Sequence, residues 1–285
     1  MEIRKQWLAW VGFLGIIGVA AWLLWAASPR VLAAGHWEAF AKASGLLSDS
    51  LTAGEILQDS RDFHLRPSDL PGRMRMSKEK VLYLTFDDGP SKNTQPILDI
   101  LNRYHAKATF FVTNQQPKYR HMIGKAYREG HTIGLHTSTH AYSIYRSPHA
   151  YFADLDAIAK TVKSEIGYVP CFVRFPGGSS NTISRNYSHG IMHVLTMELN
   201  KKGYQYYDWN GDSTDATMIN GDPNKIAAMA KRSNDSNIVM LCHDTDTKST
   251  TVKALPKIIE YYQAKGYALK AIDRKSFAPH HAINN

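Results

Sequence analysis

The chain has 285 residues, 44% of them hydrophobic and 21% charged, with a formal net charge of +9. That is ample apolar material for a domain-sized core, and too little charge for a disordered chain. The positive balance would admit nucleic acid, but no recognition module or concentrated basic stripe accompanies it, so anionic wall polymers or lipid headgroups are the expected partners.

The chain begins with a candidate membrane segment. Trp7 to Ala27 is a run of about twenty residues without a charge, the length of a helix that crosses a bilayer. Arg4 and Lys5 precede it, and Trp7, Trp10, Trp22 and Trp25 fall mostly near its ends. This pattern predicts an uncleaved anchor at residues 1–29 with the rest of the chain extracytoplasmic. A cleavable signal peptide ending near Val31 to Ala34 is the competing reading, although its apolar region would be unusually long. Residues 30–79 read as a stalk: short helix-like pieces separated by Ser, Gly, Asp and Pro, with no strong alternation.

From Val81 onward the pattern becomes alternating strand and helix. Strand-like runs occupy Val81–Phe86, Ala108–Val112, Thr132–Leu135, Cys171–Arg174, Tyr204–Asp208, Ile238–Cys242 and Tyr267–Ile272. Helical patterns fill the intervals at Thr94–Tyr104, Lys118–Glu129, Ala150–Ile166, Ser188–Lys202, Asn224–Arg232 and Thr251–Lys265. Such spacing argues for βαβ units and a parallel sheet. About seven units fall short of the complete eight-fold barrel, so residues 80–285 are expected to form a distorted or incomplete (β/α) barrel. Sites on that architecture lie at the C-terminal ends of the strands. Cys171 and Cys242 both fall in apolar runs separated by another strand, which predicts two buried free thiols.

Five of the seven runs end in residues suited to catalysis. The first finishes in Asp87-Asp88 before a Gly-Pro turn. Two neighbouring carboxylates repel unless something positive sits beside them, and a metal on one with the other left as a base would resolve the conflict. The third run leads into His136-Thr-Ser-Thr-His140. Two imidazoles and one carboxylate can hold zinc with a position left open, and other divalent metals accept the same donors. His189 and His193 share that spacing but lie in a helical stretch, where they read as two solvated histidines without a role. Arg174 enters a Pro-Gly-Gly turn: it could pair with the carboxylate not on the metal, and the turn could expose an N–H to an oxyanion. Asp208-Trp209 ends the fifth run. His243 ends the sixth and is a candidate general acid.

In this order, Thr85-Phe-Asp-Asp-Gly-Pro90, His136-Thr-Ser-Thr-His140, Arg174-Phe-Pro-Gly-Gly178, Asp208-Trp209 and Leu241-Cys-His243 resemble the motifs of the polysaccharide deacetylases, carbohydrate esterase family four. The resemblance spans most of residues 81–243 and does not reach residues 1–78. It implies Asp87 as general base, Asp88, His136 and His140 as metal ligands, and Arg174 as the partner of Asp87. It further implies the Gly177 amide in the oxyanion hole, where many members carry a larger residue. Asp208 would tune His243 as general acid, and Trp209 and Leu241 would line a pocket for the acetyl methyl. The implied cofactor is a divalent metal, zinc first, with cobalt, nickel or manganese as alternatives.

Family substrates include peptidoglycan, chitin oligomers, poly-N-acetylglucosamine and xylan. A domain tethered outside a membrane meets its own envelope first, so the expected substrate is the N-acetylglucosamine of peptidoglycan, with N-acetylmuramic acid the nearest rival. A non-catalytic carbohydrate-binding protein would be marked by a lost ligand or base, and none is lost.

Overall fold

The strand Val81–Asp87 (β1) is buried at every position, which explains why its sequence is an unbroken apolar run rather than an alternation. It is central because both its edges are paired. In this computed structural model, which describes residues 63–66, 75–218 and 221–285, β1 runs parallel to Ala108–Val112 (β2) on one edge and to Asn237–His243 (β7) on the other. Thr132–Leu135 (β3), Phe172–Val173 (β4), Gln205–Tyr206 (β5) and Gly211–Asp212 (β6) complete the path in the order β5-β4-β3-β2-β1-β7-β6. Every pairing is parallel. The last strand, Ala268–Leu269 (β8), pairs with Val81 and Leu82. It takes the β1 edge below the point where β2 begins.

The expected incomplete barrel is therefore present, with one more strand than the sequence reading supplies. The missed strand, β6, has two residues and carries no readable pattern. β5 and β6 are the two ends of the path, yet only four residues separate them in the chain. Five Cα steps reach at most about 18 Å, so the sheet must curl until its open edges nearly meet. Asn210 N donating to Val239 O and Tyr207 N donating to Val173 O tie this crossing to both sides.

Among the described residues six α-helices cover the outside: α1 (Thr94–Arg103), α2 (His121–Arg128), α3 (Pro148–Ile166), α4 (Ile191–Lys201), α5 (Pro223–Ala230) and α6 (Ser249–Ala264). Their starts and stops follow local chemistry. Ser147 accepts from Ala150 N with Pro148 in the first turn of α3, and Gly167 ends that helix in the left-handed region (φ 89). Asp222 and Pro223 open α5 in the same way.

At the N-terminal side one sequence expectation lies outside what the structure describes and another needs adjustment. The predicted anchor at 1–29 and most of the stalk lie outside the described residues; among those described, no helix is long and apolar enough to cross a membrane. Residues 63–66, assigned to the stalk by sequence, belong to the domain instead. Cys171 N donates to Phe63 O (2.9 Å) and Leu65 N to Val169 O (2.8 Å), an antiparallel bridge beside β4. The Phe63 ring is buried against Phe172, with centroids 5.2 Å apart. Cys171 and Cys242 are free and buried, as expected.

Candidate active site

The site is assembled outward from β1. Side chains alternate along a strand, so Thr85 and Asp87 share a face, and their register partners on β7 are Leu241 and His243. Alternation alone would send Asp88 to the opposite face. Its backbone instead enters the left-handed region (φ 72), and the two carboxylates converge: Asp87 Oδ2 lies 3.7 Å and Asp88 Oδ1 3.5 Å from His136 Nε2. The glycine that follows is sterically required. A Cβ on Gly89 would lie 2.5 Å from Asp244 Oδ2, and that carboxylate is fixed by Ser91 Oγ (2.8 Å) and Thr94 Oγ1 (2.5 Å). Burial pushes the Asp244 carboxyl up to about 7.

His136 follows β3 and His140 closes the next turn. Thr137 (φ 63) and His140 (φ 55) are both left-handed, a conformation that costs roughly 1–2 kcal/mol per residue. Asp154 on α3 holds the turn in place, its Oδ1 accepting from Ser138 N (2.6 Å) and Thr139 N (3.0 Å) and its Oδ2 from Thr139 Oγ1 (3.0 Å). His136 Nδ1 is 2.7 Å from the Arg174 carbonyl. A carbonyl can only accept, so Nδ1 carries the proton and Nε2 is bare, ready to ligate. Burial also lowers the His136 pKa, which favours the neutral ring.

Asp88, His136 and His140 offer ligand atoms that all lie within 4.8 Å of one another. Asp88 Oδ1, buried and without a hydrogen-bond partner among the described residues, is 3.5 Å from His136 Nε2 and 3.4 Å from His140 Nε2. Those separations are too long for hydrogen bonds. They match the edge of about 3.3–3.4 Å of a tetrahedron with metal–ligand distances near 2.0–2.1 Å. The residues present thus fit a divalent metal ion.

Arg174 is fully buried at the end of β4. Nη1 donates to Asp87 Oδ1 (2.9 Å) and Thr85 Oγ1 (2.7 Å), Nε to Tyr207 O (3.1 Å) and Nη2 to Asp208 O (3.0 Å). Its guanidinium also lies over the Phe111 ring, 4.3 Å from the centroid. This use of the planar fork leaves Asp87 Oδ2 as the free oxygen of that carboxylate.

His243 has a different partner from the one the sequence suggests. Its Nδ1 is 2.7 Å from Asp215 Oδ1, and its backbone N donates to Asp215 Oδ2 (2.8 Å). Thr251 Oγ1 donates to the same oxygen (2.8 Å). Burial alone would lower the imidazole pKa. The Asp215 carboxylate reverses this, with Asp87 and Asp88 adding to it, and the value is pushed up to about 9. For Asp215, burial alone would raise the pKa, but the bonds from His243 outweigh it and hold the carboxyl below its usual range.

The expected tuning of His243 by Asp208 is therefore corrected. Asp208 accepts from Ser179 N (2.8 Å), Ser179 Oγ (2.5 Å) and His281 N (2.8 Å). It ties the loop after Gly178 to the segment around His281 and does not bond to His243. Asp215 was missed because it follows the two-residue β6, on a single 3₁₀ turn (Asp215–Thr217) where no periodicity marks it. The one available signal is the pair of carboxylates, Asp212 and Asp215, shortly after Trp209.

Gly177 is exposed at the mouth, and its N–H donates to no acceptor among the described residues. Trp209 packs over Gly178, where a Cβ would lie 3.0 Å from its ring, and its indole meets the His281 ring edge-on at 4.8 Å. Leu241 is buried on β7 next to His243. His189 and His193 are exposed, and neither belongs to the cluster of potential metal ligands among the described residues.

A half-closed parallel β/α barrel whose mouth gathers a paired aspartate, a bare Asp-His-His set and a carboxylate-backed histidine is built for hydrolysis assisted by a metal. Residues 75–192 match the family described as polysaccharide deacetylase, and the chain belongs to that family. It is 30% identical over 215 residues to a peptidoglycan-N-acetylglucosamine deacetylase of Bacillus cereus, covering 73% of this chain and 75% of that one. The crystal structure of the catalytic domain of peptidoglycan N-acetylglucosamine deacetylase from Eubacterium rectale superposes with a TM-score of 0.72 at 38% identity, covering 77% of this chain and all of that one (100%). A polysaccharide deacetylase structure from Bacillus cereus gives 0.62 at 28% identity, with 71% and 97% covered.

Proposed function

We propose that this chain removes the N-acetyl group from N-acetylglucosamine in peptidoglycan, releasing acetate. One divalent metal ion would be held by Asp88, His136 and His140. Residues 1–29 would anchor the chain, with the domain on the extracytoplasmic side. The observation that carries the reading is the convergence at one mouth of Asp87 gripped by Arg174, three metal-ready ligands and His243 backed by Asp215. The relatives from Bacillus cereus and Eubacterium rectale support the polymer, and the uncharged run at Trp7 to Ala27 supports the location. The donor set suits zinc, and cobalt, nickel or manganese can take the same ligands.

When bound, the ion supplies a Lewis acid for the acetamide carbonyl and the attacking water. Asp87, immobilised through Oδ1, accepts the water proton on Oδ2. The Gly177 N–H stabilises the negative oxygen that develops as water adds to the carbonyl carbon. His243, protonated and held through Nδ1, delivers the proton on Nε2 to the amide nitrogen as the C–N bond breaks. Acetate and a free amino sugar leave. Trp209 and Leu241 shape the side of the mouth that takes the acetyl methyl.

The test uses the full chain in detergent, stripped by a chelator and reloaded with zinc, then incubated with purified peptidoglycan and with chitin oligomers. Mass spectrometry should find acetyl loss from the glucosamine of peptidoglycan, abolished by chelation and restored by zinc. Loss from chitin oligomers alone would keep the reaction and discard the polymer. No acetate from either, with metal bound, would discard deacetylation in favour of carbohydrate binding.

A further inference from the structure

The peptide that joins Pro176 to Gly177 has one end held and the other free. Its N–H, at Gly177, has no acceptor among the described residues. Its carbonyl, at Pro176, accepts from Tyr145 Oη at 2.8 Å. The unit is trans, since the one cis bond among the described residues is Gly89-Pro90. In a planar trans peptide the C=O and N–H point in opposite directions. Whatever fixes the carbonyl therefore decides where the N–H points.

Tyr145 is suited to that task. It is fully buried and stacked on Tyr151, with centroids 6.0 Å apart and rings 13° from parallel. Burial pushes its hydroxyl pKa well above the ordinary range, so it remains a donor. It belongs to the one-turn 3₁₀ helix Tyr142–Arg146, which directly follows the turn carrying His136 and His140. Three residues earlier on that turn, Tyr142 places its hydroxyl 2.9 Å from where a Gly177 Cβ would stand, and Gly177 itself has φ 75. The turn thus meets the same peptide twice, once at its carbonyl and once over its Cα. Gly178 N donating to Phe175 O (2.8 Å) and Asn181 Nδ2 donating to Gly178 O (2.8 Å) stiffen the loop on the far side.

We propose that Tyr145 is a positioning residue for deacetylation: by holding the Pro176 carbonyl it aims the Gly177 N–H at the developing oxyanion. The same bond polarises the peptide and strengthens its N–H as a donor. The inference rests on the reading above that Gly177 lies beside the reacting carbonyl.

Tyr145→Phe in the zinc-loaded full chain tests it. The expected result is a kcat lowered ten-fold or more, KM within two-fold, unchanged metal content, and displaced Gly177 ¹⁵N and Pro176 carbonyl ¹³C resonances. Tyr151→Phe is the control, because the Tyr151 hydroxyl is buried without a partner among the described residues, and it should leave kcat unchanged. A structural role alone would lower the melting temperature and leave kcat and both resonances in place, which would overturn the proposal. Should Tyr145→Phe not fold, 3-fluorotyrosine at position 145 keeps the ring and hydroxyl. Its more acidic donor should move both resonances and kcat, and unmoved values would overturn the proposal. An inactive parent with full metal would sink the deacetylase reading along with it; an active parent with unaltered Tyr145→Phe kinetics would sink this proposal alone.

Discussion

Asp87 and Asp88 are adjacent and chemically identical, and their surroundings give them different work. Arg174 occupies one oxygen of Asp87, whereas Asp88 Oδ1 lies near two imidazole nitrogens and has no hydrogen-bond partner among the described residues. Asp87→Asn is expected to lower turnover at least 10²-fold while elemental analysis still finds bound metal; Asp88→Asn is expected to lose the metal itself. The reverse pattern would exchange their roles. Asp215 and Asp208 form a second contrast. His243 acts as an acid in its protonated form, so activity should fall as pH rises through its pKa. Removing the Asp215 charge lowers that pKa, and the alkaline limb of the pH–rate profile in Asp215→Asn should move down by about one unit or more. Asp208→Asn should leave the limb where it is. The sign for stability follows from the same raised value of about 9. In metal-free protein, the contribution of protonated His243 is complete below its unfolded pKa near 6.5 and is lost as pH rises through 9. In sequence, Asp208 receives that role only through the family resemblance of the Asp208-Trp209 motif; the carboxylate that reaches His243 is set by a crossing of the seam that no local pattern encodes.

At the scale of elements, the alternation of strand and helix was legible because the long members are strongly patterned. β1, β7 and α3 are buried runs or capped amphipathic stretches, and their predicted limits fall within a few residues of those observed. β6 was not legible because two residues have no period. The bridge at Phe63 was not legible either, since its pairing partner lies more than a hundred residues away. The turn after β3 shows the same division. Its histidines stand out in sequence, while Asp154, which shapes the turn from α3, looks like any helix-surface acid. Asp154→Ala should weaken zinc binding by about 10–100-fold, the usual effect of removing support behind metal ligands, as read by competition with a chelator. An unchanged affinity would show that the left-handed residues Thr137 and His140 hold their conformation without it.

At the scale of the molecule, the curled sheet brings residues from β1, β3, β4, β7 and the seam to one rim, so the site depends on the closure of the whole curve. Phe63 adds to the packing beside β4 from outside the alternating pattern. Phe63→Ala should cost about 3 kcal/mol in a denaturant titration, with metal content retained in the folded fraction. A cost below about 1 kcal/mol would make residues 63–66 a passive extension. The two free, buried cysteines mean that reductant should change neither stability nor activity.

The Phe63 bridge also has a mechanical consequence. Tension applied to the chain ahead of Phe63 would enter the domain through the contacts of residues 63–66, among them two backbone hydrogen bonds, the Phe63–Phe172 and His64–Tyr168 ring contacts and the bond from Arg274 to His64 O, beside the strand that ends in Arg174. A protein held by its N-terminal end while its domain grips a stiff polymer would carry load along that route. The first part to give would be this short clasp, which would take the load before it reached β1 and the carboxylates at its end.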